Sequence, residues 1–203
     1  ARRPSRELLP SDLPAQLATP WKLVAEPNGR RVALLTRTGD ATGLQEKPDV
    51  ELSVLPDKRA VRATRCVDDL CAGKAITSIQ WRPGSDDVLF TVTDPEEGLA
   101  QLIFSWDVRT GGVRQITRSR GLLNGGRSGA SVCGLSEGVL VCVASEADKP
   151  PWLEKVDIAT GERQVLFDPN AALAEDIAKT TPAALLKWTD AKGRQFTGQF
   201  FEG

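Results

Sequence analysis

The feature that most constrains the fold is an internal repeat. Trp106-Asp107-Val108-Arg109-Thr110-Gly111-Gly112-Val113-Arg114-Gln115-Ile116 recurs as Val156-Asp157-Ile158-Ala159-Thr160-Gly161-Glu162-Arg163-Gln164-Val165, so Asp157 follows Asp107 at an offset of 50 residues. Each copy reads as a strand ending in Asp, a Thr-Gly turn and a polar-tipped return strand, with glycine at the positive-φ position of the turn. A second element precedes it: Pro27-Asn28-Gly29-Arg30-Arg31-Val32-Ala33-Leu34-Leu35 echoes Pro83-Gly84-Ser85-Asp86-Asp87-Val88-Leu89-Phe90, each a tight turn entering an apolar strand shortly after a Trp-containing one. Alternating these two hairpins gives one four-stranded unit per repeat. A period of about 40–50 residues with four strands per unit is the signature of a β-propeller blade, with a β-sandwich as the alternative.

Glycine (18) and proline (13) punctuate the 203-residue chain so closely that little room is left for helices. Strands are predicted at 21–25, 31–36, 50–55, 76–81, 88–93, 101–108, 112–117, 139–144, 152–158 and 163–167, each rich in Val, Ile, Leu, Thr or Trp and bounded by turn residues. One helix is predicted over 170–179, begun by Asp168-Pro169 and stopped by Thr180-Thr181-Pro182, as a connector between sheets. The fold class is therefore all-β with propeller-type blades, partial or truncated. The organisation expected is an N-terminal segment at 1–20, blades over 21–168, and a helical connector with crossing strands over 169–203. The stretch between Thr117 and Cys133 is too short to hold further blades.

Composition excludes most chemistry. The chain contains no His, so a Ser-His-Asp or Cys-His nucleophile, a His-ligated zinc site and a His-ligated haem are excluded for this chain alone. Lys and Arg (26) nearly balance Asp and Glu (27), which offers no basic field to a nucleic acid. No apolar run approaches the roughly 20 residues that cross a bilayer, so membrane insertion is not expected. Gly134-Leu135-Ser136-Glu137-Gly138 matches the letter of a nucleophile elbow, but a strand rather than a helix follows it, and Ser136 reads as a hairpin-turn residue. Lys74 follows Gly73 without the first glycine or the hydroxyl of a phosphate loop. The pairs Asp68-Asp69, Asp86-Asp87 and Glu96-Glu97 lack calcium-loop spacing and read as solvated loop tips. No cofactor is called for.

The four cysteines fall in two local pairs, Cys66 with Cys71 and Cys133 with Cys142. Residues 132–143 are nearly palindromic about Glu137-Gly138, so a hairpin closing there sets Cys133 opposite Cys142. Four cysteines allow three connectivities, and locality favours 66 with 71 and 133 with 142. Bridges point to an oxidising compartment such as the periplasm; free buried thiols in the cytoplasm are the alternative. The five Trp lie in or beside predicted strands, where packing accounts for them. Trp152, held behind Lys149-Pro150-Pro151, is placed either to face a peptide or to make an ordinary contact between blades.

The Pro-x-Gly-Arg-x-Val-Ala turn at 27–33, the Trp-x-Pro-Gly turn at 81–84 and the Asp-x-x-Thr-Gly hairpins together resemble the propeller of prolyl oligopeptidase-type serine peptidases. Residues 185–200 look like the crossing segment toward an α/β-hydrolase domain. The Cys66–Cys71 loop, the Cys133–Cys142 hairpin, Lys149-Pro150-Pro151 and Phe167-Asp168-Pro169-Asn170 look most like the lasso peptide isopeptidase branch of that family. The resemblance implies a propeller that caps a hydrolase domain and restricts entry to its Ser-Asp-His triad. The partners implied are that domain and a peptide. The sequence stops where the hydrolase domain starts in such enzymes, so no catalytic residue is carried over. A stand-alone propeller or sandwich that binds a protein through its loops is the alternative from a different class.

Overall fold

A computed structural model describes residues 20–37, 50–56, 62–123 and 133–201. The segment expected at 1–20 thus lies, but for Pro20, outside the described residues, as does most of the stretch before Cys133. The chain divides into two compact units, residues 1–90 with 105–114 and residues 91–104 with 115–203.

Among the described residues there are fourteen strands. β1 (Pro20–Ala25), β2 (Val32–Arg37), β3 (Val50–Leu55) and β4 (Thr64–Arg65) form one antiparallel sheet in that order. β5 (Ile76–Trp81), β6 (Asp87–Asp94), β7 (Ala100–Asp107) and β8 (Val113–Arg118) form a second, through which the division between the units passes. β9 (Gly134–Ser136), β10 (Val139–Glu146), β11 (Lys149–Asp157) and β12 (Arg163–Phe167) form the third. A helix α1 (Ala171–Thr180) then leads to a two-stranded hairpin, β13 (Ala183–Thr189) with β14 (Gln195–Phe201). The expected four-strand unit is present three times. All ten predicted strands are present, and α1 begins and ends one residue later than predicted. Of the other four, β4 and β9 have only two or three residues and carry no readable alternation, and β13 and β14 fall in the segment expected to hold crossing strands, without bounds of their own.

The Thr-Gly turns repeat in bonding as well as in sequence. Asp107 N–H donates to the Gly112 carbonyl at 2.9 Å and Gly111 N–H to that of Asp107 at 2.8 Å; Asp157 with Glu162, and Gly161 with Asp157, make the same bonds at 2.9 and 2.8 Å. One carboxylate oxygen of each Asp accepts the two following amides, Arg109 and Thr110 in the first copy and Ala159 and Thr160 in the second. These backbone donors, that of Thr110 or Thr160 first, hold both carboxyls below the usual range. Gly161 has φ 75°, and a Cβ there would stand 2.1 Å from the Ile116 carbonyl oxygen, so only glycine fits. The residue after each Asp is tied to the first turn of its own sheet, Val108 N–H to the Asp86 carbonyl and Ile158 N–H to that of Gly138.

The core of the first unit gathers Val32, Leu34 and Leu55, with Leu23 and Ala63 packed against them. The Trp81 indole N–H donates to the Val24 carbonyl at 2.9 Å and fastens β5 beside β1. In the third sheet Leu140, Cys142 and Ala144 are fully buried while Val141 and Val143 are exposed, the alternation of a strand with one covered face.

Both local cysteine pairs are bridged, Cys66 to Cys71 and Cys133 to Cys142. Ser136 pairs with Val139 across a two-residue turn of Glu137 and Gly138, both at positive φ, and Gly134 pairs with Val141. That register sets Cys133 against Cys142 and makes Ser136 the turn-flanking residue expected of it.

Candidate functional site

The acidic pairs expected to be solvated loop tips are not all so. Asp94 accepts the Glu96 amide at 2.9 Å and shapes a single 3-10 turn over Pro95–Glu97. The turn delivers the Glu97 carboxylate to two cations of the second unit. Arg118 Nη2 pairs with it at 3.0 Å, and Lys187 Nζ donates to its other oxygen. The Lys187 hydrogen bond is the main reason the Glu97 carboxyl lies below the ordinary range. Thr197 Oγ1 also donates to the Pro95 carbonyl at 2.6 Å, so the β13–β14 hairpin is tied to the turn at two points. Gly98 permits the approach: a Cβ there would lie 2.7 Å from Leu185 Cδ1 and 2.8 Å from Gln199 Nε2.

Around this junction lies a cavity of about 150 Å³ lined by Glu97, Arg118, Arg120, Glu146 and Asp148, with Leu185 among its apolar residues. Arg118 is committed to Glu97, whereas Arg120 makes no hydrogen bond or ion pair among the described residues, so its charge is available to a ligand. The mixed charges suit a polar, charged group and not an apolar one. Ser119 lies in the wall, but its Oγ accepts the Gly121 amide at 3.1 Å, and the chain has no His to act as a base. No nucleophile is paired with a base here among the described residues.

A chain of hydrogen bonds runs from this cavity into the third sheet. The Arg118 carbonyl accepts Arg163 Nη1 at 3.1 Å, and Arg163 Nε and Nη2 each donate to Glu154 at 2.9 Å. Glu154 is 2% exposed and also accepts the Trp152 indole N–H at 2.9 Å, so its buried charge is paired and fully engaged. Trp152 itself is 4% exposed, with Lys149 Nζ at 4.0 Å from its ring centroid. Asn170 Nδ2 donates to the Pro151 carbonyl at 2.8 Å, closing the strand entrance from the side of α1. Trp152 thus sits as a packed anchor for Glu154.

The first unit holds a second polar concavity, of about 430 Å³, lined by Glu26, Asn28, Arg31 and Asp86 among others. Arg31 spans it, pairing with Glu26 at 2.7 Å and Asp86 at 2.7 Å while its guanidinium lies 4.7 Å from the Trp81 ring centroid. The Arg31 hydrogen bond holds the Glu26 carboxyl below its ordinary value. The charges of Glu26, Arg31 and Asp86 are thus paired with one another.

No protein-family model matches the chain, and no curated protein matches it in sequence. Solved structures do. The isopeptidase AtxE2 matches at a TM-score of 0.68 with 17% identity, over 97% of this chain and 27% of its own. A variant of AtxE2 with astexin3-dC4 bound matches equally well, over 28% of its length. The β-propeller domain of the trilobed protease from Pyrococcus furiosus matches at a TM-score of 0.51 with 12% identity, over 91% of this chain and 54% of that one. The chain has a β-propeller-type fold. It spans about a quarter of the length of the isopeptidase. Among the described residues, no helix is long and apolar enough to cross a membrane.

Proposed function

We propose that this chain is the propeller portion of a serine peptidase of the prolyl oligopeptidase type, similar to the lasso peptide isopeptidases, and that it gates and docks peptide substrate for an α/β-hydrolase domain that the chain does not contain. The observation that carries the reading is the likeness over 97% of this chain to about a quarter of an isopeptidase. The lack of His leaves a Ser-His-Asp triad to be supplied from outside this sequence, as the reading requires. The cavity at Glu97, Arg118 and Arg120 is the docking point of this proposal, taking a charged terminus or side chain of the peptide. The two disulfides support an extracytoplasmic setting.

The test is to remove residues 21–168 from the full-length enzyme and compare hydrolysis of small and large peptides. The expected result is that large peptides, formerly excluded, are cut alongside small ones. Unchanged discrimination would overturn the gating role.

A further inference from the structure

The cavity at Glu97 has a basic and an acidic side, and backbone bonds fix the segments that carry them. Ser119 N–H donates to the Gln101 carbonyl at 2.9 Å and Gln101 N–H to that of Gly121 at 2.8 Å, so both neighbours of Arg120 are tied to β7. One step further on, Leu122 and Ser145 exchange bonds at 2.8 and 2.9 Å. Gly121 is required for that approach, since a Cβ there would stand 2.1 Å from the Ser145 carbonyl oxygen. The segment of Arg120 is thereby held against the end of β10, whose last residue is Glu146 and whose following turn carries Asp148.

The charges divide along the same line. Glu97 is shared by Arg118 and Lys187, which leaves that group of three with one net positive charge, and Arg120 adds another with no partner among the described residues. On the acidic side Glu146 has no partner among the described residues, and the Asp148 carboxylate accepts the Ala183 amide at 3.4 Å. A ligand of one sign would meet repulsion from one side or the other, whereas a ligand with both charges meets a partner on each. Ala100 and Leu185 add apolar surface to the wall. The volume, about 150 Å³, is well below that of pockets that take an extended ligand and suits the end of a chain.

We infer that this cavity takes the C-terminal residue of a peptide where that residue is Lys or Arg. The fork of Arg120 donates to the free α-carboxylate, the side-chain cation of the peptide pairs with Glu146 and Asp148, and its methylene stem lies along Ala100 and Leu185. An N-terminal acidic residue brings the same two charges on a much shorter stem and leaves the apolar wall unused. The inference rests on the docking role proposed above and names the end of the peptide that docks.

Calorimetric titration of the natural polypeptide carrying this sequence tests it, with four N-acetylated dipeptides: Ala-Lys, its C-terminal amide, Ala-norleucine and Ala-Glu. Ala-Lys is expected to bind about tenfold more tightly than the amide, which lacks the carboxylate, and than the norleucine peptide, which lacks the cation. Arg120→Ala should erase the first preference and Glu146→Gln should narrow the second. Glu146→Lys should reverse the order of Ala-Lys and Ala-Glu, an outcome that a merely loosened fold does not produce. Equal binding of the four peptides, no binding of Ala-Lys at millimolar concentration, or binding that all three variants leave unchanged would overturn the inference. If the peptides show no preference while removal of 21–168 abolishes size discrimination, this inference fails and the gating reading stands; a preference for Ala-Lys beside unchanged size discrimination means the opposite.

Discussion

β2 and β14 are both second strands of a hairpin closed by an ion-paired turn, and they differ almost completely in burial. Val32, Ala33, Leu34 and Leu35 are each 1% exposed or less, while Phe196, Phe200 and Phe201 are between 39% and 52% exposed. The hairpin is therefore a local product of turn chemistry, formed wherever a Gly at positive φ and a flanking ion pair allow it. Burial comes from the strands and sheets added afterwards. A Phe in β14 is as apolar as a Leu in β2, but among the described residues it has no third strand beside it, and it stays about half exposed.

The largest effect should come from truncating the covered strand. Leu34→Ala is expected to cost about 2–5 kcal/mol, against less than about 1 kcal/mol for Phe200→Ala, read as the shift in urea-unfolding midpoint. Equal costs would mean that β14 is covered after all. Next comes the staple of the third sheet. Replacing Cys133 and Cys142 together by Ser is expected to remove about 2–4 kcal/mol, more than the same change at Cys66 and Cys71, because Cys142 is fully buried and its site cannot readily relax. A thermal melt of the two double variants checks the order.

The ion pairs at the turns should matter less, and unequally. Arg31→Ala leaves Glu26 without its partner and uncovers the Trp81 face, at an expected cost of about 1–3 kcal/mol. The pH dependence follows from the lowered Glu26 carboxyl. Its stabilisation is fully present above the ordinary value of 4.5 and is lost as the pH falls through its lower folded-state value. Glu26→Gln should therefore be less stable than the parent near neutrality and lose less on acidification, checked by unfolding curves from pH 7 downward. The smallest effects belong to the Thr-Gly turns. Asp107→Ala and Asp157→Ala each remove one carboxylate from two exposed amides and should lower the melting temperature by a few degrees, equally if the two copies are energetically as alike as they are in bonding.

The blades were legible because their turns carry it: Asp-x-x-Thr-Gly states in five letters which amides the carboxylate will accept and where φ must be positive. The Cys133–Cys142 hairpin was legible for a similar reason, since a palindrome about Glu137-Gly138 fixes the register. The cavity was not. Glu97, Arg118 and Asp148 come from three separate segments, and each alone looks like an ordinary surface charge. Glu96-Glu97 read as a solvated tip, yet Glu97 is held by Lys187, 90 residues later in the chain. Trp152 drew notice for its two prolines, which said that the strand entrance was rigid but not that Lys149 would lie over the ring or Glu154 accept its N–H. Nothing local could reveal that β14 lacks a neighbour, because an apolar strand has the same sequence whether or not it is covered.

The central claim is that this chain is the binding portion of a larger hydrolase. The measurement that tests it most directly is the intact mass of the native polypeptide carrying this sequence, together with that of anything bound to it. The account predicts a chain several times longer than 203 residues, or a tightly held companion, bearing a Gly-x-Ser-x-Gly elbow and a His. A folded native protein of 21.9 kDa with no companion would contradict it.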